Sequence, residues 1–167
     1  TSATAVSRAA VCWVSDGDVL LWLETESDSE LPLVAVATGV PVGTPVAFDA
    51  RRIEALLPIV GPDINSEHLA QEVDRDDLAI SFAKGCYLGQ ETIARIQSRG
   101  RVNRLLRGLG FEDDQRPQTG AVIRGEGNAE VGRVGSVAPP EVHAAGCRDK
   151  AVALAVVRRE VAGSGTR

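Results

Sequence analysis

The stretch SFAKGCYLGQETIARIQSRGRVNR, residues 81–104, concentrates the side chains most able to do chemistry. A thiol becomes a nucleophile or a ligand only as the thiolate, a form that nearby cations and a helix N-terminus favour. Lys84 stands two residues before Cys86, and a helix is expected to begin about three residues after it. Gly85 and Gly89 allow the backbone to turn sharply around the thiol. The same residues are equally compatible with a buried, inert cysteine. Arg95, Arg99, Arg101, Arg104 and Arg107 follow, with no Asp or Glu between Glu91 and Glu112. Guanidinium groups suit bidentate contacts with carboxylate or phosphate. They serve as an anion site, as a solvated face, or as partners of the acidic 72–77 stretch.

A second group is Arg52-Ile53-Glu54 with Pro58, Gly61 and Asp63. A Glu between apolar neighbours needs a partner if buried. Arg52 can supply it, and so can a ligand with paired N–H donors such as a pterin ring. His68 and His143 lie in no ligand pattern and read as surface residues. Ser98, Ser136 and Ser164 lack a Gly-x-Ser-x-Gly setting. GEGNAEVG and GRVGS lack the Lys-Ser/Thr ending of a phosphate loop.

These residues need elements to hold them. Residues 10–14 and 18–24 read as strands around the turn Ser15-Asp16-Gly17, a hairpin. Residues 29–38 read as a helix with Pro32 in its first turn, ended by Gly39. Residues 51–57 fit strand or helix, 58–77 mostly loop, and LAISF, 78–82, a strand. Residues 89–98 read as a helix with Ile93 and Ile96 on one face and Glu91 in the first turn. Beyond Gly100 the chain turns into short Val-rich segments cut by Gly and Pro, the punctuation of a small β-barrel. The domains expected are 1–100, 101–162 and a disordered tail at 163–167.

The whole composition narrows the class. A chain of 167 residues, 44% hydrophobic, buries a real core, built from aliphatic residues because aromatics are only 4%. The net charge of −5 argues against a general affinity for nucleic acid. Direct tRNA binding draws little support, because aromatic stacking partners are nearly absent from the arginine cluster. The cysteines, Cys12, Cys86 and Cys147, are odd in number and widely spaced, which disfavours an autonomous zinc or iron–sulfur site. A reduced cytosolic setting fits. No apolar run approaches membrane-spanning length, and the first residues lack the pattern of a signal peptide. Methionine is absent, position 1 included, so the chain is expected to be a piece of a longer polypeptide.

KGCYLGQE, residues 84–91, resembles the Lys-Gly-Cys-Tyr-x-Gly-Gln-Glu signature of the YgfZ family, matched at every fixed position. That family of folate-binding proteins is related to the T-protein of the glycine cleavage system, a tetrahydrofolate-dependent aminomethyltransferase. RIEALLPIVGPDI, 52–64, resembles a T-protein segment, with Leu56 where a glycine is usual and Val60 where a tyrosine is. EVGRVGSVAP, 130–139, and KAVALAVVRR resemble the superfamily's barrel. The cysteine at 86 points to the YgfZ branch, since T-proteins usually carry an acidic residue there.

The resemblance implies an α+β fold: the later part of a folate-binding domain followed by a small antiparallel β-barrel, with an N-terminal part missing. It implies tetrahydrofolate or a one-carbon derivative as cofactor, with Glu54 facing the pterin and Arg52, Tyr87, Gln90 and Arg95 on the cofactor side. Cys86, with Lys84, would carry the branch-specific chemistry. The arginines, by their charge, suit the folate's glutamate tail or a partner. The function implied is an accessory role in iron–sulfur cluster synthesis or repair that indirectly supports tRNA modification. The partners implied are iron–sulfur assembly proteins or radical iron–sulfur tRNA-modifying enzymes, in the bacterial cytoplasm or the mitochondrial matrix. The alternatives are a folate-dependent aminomethyltransferase and a non-catalytic interaction domain.

Overall fold

The run VALAVVR at 152–158 has apolar residues on both alternating faces, the pattern of a strand buried on both sides. In the computed structural model, which describes residues 6–10, 19–23, 43–111, 116–138, 152–163 and 165, it is a central strand. The strands are β1 (Val6–Ala10), β2 (Val19–Leu23), β3 (Arg104–Gly110), β4 (Val122–Arg124), β5 (Glu130–Val137) and β6 (Val152–Arg158). The last four form an antiparallel sheet in the order β3-β6-β5-β4.

Side chains alternate across this sheet, so each face carries its own core. On one face Leu106, Leu154 and Val156 pack with Ala50, Ile53 and Ala138. On the other, Leu105, Ala155 and Val157 pack with Val102 and Ala162, and Ile96 lies against them.

The helix over the first face is α1 (Pro45–Glu54). Thr44 Oγ1 caps it by accepting the Ala47 N–H at 3.1 Å, and Pro45 stands where a missing N–H costs nothing. The ambiguous stretch 51–57 is therefore helical as far as Glu54. Its end is a Schellman motif: the Leu57 N–H donates to Arg52 O and the Leu56 N–H to Ile53 O. Leu56 takes the left-handed position, φ 56°. That is where glycine is favoured, which is the residue the related segment carries there.

LAISF is not a strand. Residues Asp76–Ala79 form one helical turn, α2, and 80–82 join no sheet. Asp76 and Asp77 lie in its first turn, and the Ile80 N–H donates back to the Asp76 carbonyl, so a local helical hydrogen bond outweighs β propensity. Residues 58–77 are mostly loop, as expected, with one 3-10 turn at Ala70–Val73. The helix expected at 89–98 is α3 (Gln90–Arg99), with Glu91 in its first turn.

The four strands after Gly100 appear where expected, but they do not close into a barrel among the described residues. β3 and β4 remain the two edges. β4 has three residues and its register shifts between Ile123 and Arg124, which leaves too little edge to pair across the gap. Even the smallest partly open barrels use about five strands.

β1 and β2 pair antiparallel, with Val6 opposite Leu23 and Ala10 opposite Val19; of the first strand expected at 10–14, only Ala10 lies among the described residues. Residues 11–18, the helix expected at 29–38, Cys12, Cys147, His143 and most of the tail lie outside the described residues.

Candidate functional site

Two of the sequence motifs meet in one buried network. Arg52, on α1, is only 3% exposed. Its Nε donates to Asp49 Oδ1 at 2.7 Å, its Nη1 to Asp63 Oδ2 at 3.0 Å and its Nη2 to Ser136 Oγ at 2.9 Å. Asp63, with no exposed side-chain surface, also accepts from the Ile59 N–H, the Ser136 N–H and the Ser136 hydroxyl. The carboxylate is thus matched by a guanidinium and three further donors, as a buried charge must be.

The sheet is shaped for this. The β5–β6 register shifts between Val134 and Val137, and the Ser136 N–H donates to Asp63 at 2.6 Å. Gly135 is required beside it, since a Cβ there would stand 3.0 Å from the Pro62 carbonyl oxygen and closer still to Asp63. Arg52 is therefore not the partner of Glu54. Arg51 Nη1 donates to Glu54 Oε2 at 3.2 Å, and the Glu54 side chain remains 18% exposed at the end of α1.

The KGCYLGQE segment lies elsewhere, on an exposed loop that runs into α3. Cys86 is exposed and free, not buried, and no hydrogen bond to its thiol is formed among the described residues. The Lys84 ammonium stands 4.3 Å from the centroid of the Tyr87 ring, a cation–π contact. The Tyr87 N–H donates to Gln90 Oε1 at 3.2 Å, and the Gln90 N–H to the Tyr87 carbonyl at 3.3 Å. Gly89, at φ 89°, is the left-handed residue that starts the helix. The loop and α3 enclose a groove of about 210 Å³ lined by Phe82, Lys84, Tyr87, Gln90, Glu91 and Gln97, among others. Three of the expected site residues, Lys84, Tyr87 and Gln90, thus share one groove. Glu54, Arg52 and Arg95 do not line it. The exposed thiol beside it is open to attack on a sulfur, to oxidation or to ligand exchange.

The arginine cluster divides. Arg104 makes a two-bond contact with Glu72, Nε to Oε1 at 3.0 Å and Nη2 to Oε2 at 3.1 Å. Arg107 reaches Asp74 Oδ2 at 2.6 Å and the Ala162 carbonyl at 2.9 Å. These two pair with the acidic stretch. Arg95 and Arg101 are exposed.

Gln71 escaped notice in the sequence because it lies in a stretch read as loop. It is buried, and its Nε2 donates to the Ile93 carbonyl of α3 at 3.1 Å while its Oε1 has no partner among the described residues. A second groove, about 320 Å³, lies between Leu56, Val73, Leu106 and the acidic turn. There Asp76 Oδ1 is buried without a partner among the described residues. Burial, aided by Asp74 and Asp77, raises the Asp76 carboxyl above its ordinary value of 3.8. Among the described residues no group of three His, Cys, Asp or Glu side chains could hold a metal ion. None of the described helices is long and apolar enough to cross a membrane.

No family model matches the chain. It is similar to curated proteins, however. A Haemophilus influenzae protein named only as uncharacterized is 30% identical over 117 residues, 67% of this chain and 42% of the relative. The tRNA-modifying protein YgfZ of Aliivibrio fischeri is 32% identical over 111 residues, 66% of this chain and 34% of the relative. That of Yersinia enterocolitica is 36% identical over 89 residues, 53% of this chain and 27% of the relative. The chain spans well under half the length of the curated relatives it matches. With the signature intact on an exposed loop, and several relatives bearing one name over about two thirds of its length, the chain belongs to the YgfZ family.

Proposed function

We propose that this chain is part of a tetrahydrofolate-binding accessory protein that acts in iron–sulfur cluster synthesis or repair and so supports tRNA modification. The observation that carries the reading is the intact KGCYLGQE segment, with Cys86 exposed and Lys84, Tyr87 and Gln90 lining one groove. The names of the relatives from Aliivibrio fischeri and Yersinia enterocolitica support the link to tRNA modification.

The donor set of the groove fits part of a folate. Phe82 and Tyr87 offer ring faces, Gln90 and Gln97 offer amides that both donate and accept, and Lys84 offers a cation for a carboxylate. A volume of about 210 Å³ is below the roughly 300 Å³ at which drug-sized ligands are enclosed, so the groove holds one end of the molecule. Glu54, on α1, would meet the pterin from outside this groove. In this reading Cys86 serves iron–sulfur enzymes through its accessible sulfur.

The test has two arms. Tetrahydrofolate binding is measured by calorimetry on the chain and on Lys84→Ala and Gln90→Ala variants. The methylthiolated fraction of tRNA is measured in a YgfZ-deficient bacterium carrying the chain or its Cys86→Ala variant. Binding weakened by the groove variants, and modification restored only when Cys86 is present, are expected. Absence of folate affinity removes the folate half of the reading. Full restoration by Cys86→Ala removes the thiol half.

A further inference from the structure

The segment that carries Cys86 is weakly fastened. Among the described residues, one side-chain hydrogen bond crosses from residues 81–99 to the rest of the molecule, from Gln71 Nε2 to the Ile93 carbonyl, beside the backbone bond from the Gly100 N–H to the Ile96 carbonyl that ends α3. One side chain of the segment, Ile96, packs against a core cluster. Phe82 and Leu88 stand exposed, Leu88 completely. The groove of about 210 Å³ lies between the loop and its own helix, so the segment is loosely packed within itself as well.

The hydrogen bond is a poor fastening. Gln71 is buried, and in donating to Ile93 it leaves its own Oε1 without a partner among the described residues. The gain from one neutral hydrogen bond and the cost of one unpaired buried carbonyl are similar in size and opposite in sign. Among the described residues, the segment's other side-chain attachment to a core cluster is the half-buried Ile96.

We propose that residues 81–99 form a detachable arm, latched to the molecule by the Gln71 amide and the Ile96 side chain, whose release moves Cys86 independently of the sheet. Detachment takes the Ile96 side chain off the core cluster. It also melts the helix, because ten residues are too few to remain helical alone in water. The device goes beyond the folate reading and stands whether or not folate binds.

Melting on release makes amide exchange the test, on the 167-residue chain. The α3 amides are expected to exchange at least about 100-fold faster than those of β6, with little dependence on denaturant. Ile96→Ala is expected to speed α3 exchange by a further factor of about 10 and to leave β6 unchanged. Gln71→Glu, which replaces the donor by an acceptor facing the Ile93 carbonyl, is expected to act in the same direction. The β6 amides report in every sample whether the variant has kept its fold. A common rate and denaturant slope for α3 and β6 would overturn the proposal. So would variants that shift both elements together, or that leave α3 exchange unchanged.

Discussion

At the residue scale, two charged or reactive positions have opposite characters. Asp63 is wholly buried and accepts from four groups on three segments of the chain. Removing one partner of a buried ion pair leaves the other charge without compensation, so Asp63→Ala is expected to cost about 3–5 kcal/mol. Urea unfolding read by fluorescence or circular dichroism checks this, with Arg51→Ala as the control. Arg51 is exposed and pairs three residues away along the helix, a geometry worth under about 1 kcal/mol. Cys86, by contrast, is exposed and free among the described residues. Cys86→Ser is expected to leave stability within about 0.5 kcal/mol of the parent. A larger loss in the same melt would mean that the thiol supports the fold, and a functional defect of the variant could then not be credited to its chemistry.

At the element scale, α2 is a single turn with a pH-dependent charge. Its first residue, Asp76, has a carboxyl raised above 3.8 by burial and by the neighbouring Asp74 and Asp77. The folded state therefore takes up this proton more readily than the unfolded state does. Its contribution to stability is fully present below 3.8 and is lost as pH rises through the raised folded value. Asp76→Asn removes the ionisation. The variant is expected to melt at a higher temperature than the parent at neutral pH, and the difference is expected to shrink on acidification and vanish below 3.8. Thermal melts across that range check the sign; a difference that grew on acidification would refute it. The same turn shows why LAISF misled. Its β-branched and aromatic residues read as strand, but Leu78 and Ala79 continue the helical turn that Asp76 and Asp77 open, and among the described residues no strand pairs with it.

At the scale of the whole molecule, β6 ties the two faces together. Leu154 is fully buried among Ala50, Ile53 and Leu106, so α1 and the sheet share one core. Leu154→Ala is expected to cost about 2–5 kcal/mol, depending on how far the site relaxes. A loss that small surface changes could match, measured by urea unfolding, would mean that α1 packs independently of the sheet.

Local chemistry was legible in the sequence. The helix after Gly89, the Val-rich strands and the Cys86 signature depend on neighbours a few residues apart, through capping, alternation and turn residues. What is decided by distant partners was not. Nothing near Arg52 in the chain announces that Ser136 completes its hydrogen bonds, and while the acidic 72–77 stretch stood among the possible partners of the arginines, only the fold decides that Arg104 and Arg107 are the ones that reach it. Barrel closure was equally hidden, because it depends on whether the two edge strands meet. Alternation along a strand determines which face a side chain takes, while only the folded chain determines what stands opposite it.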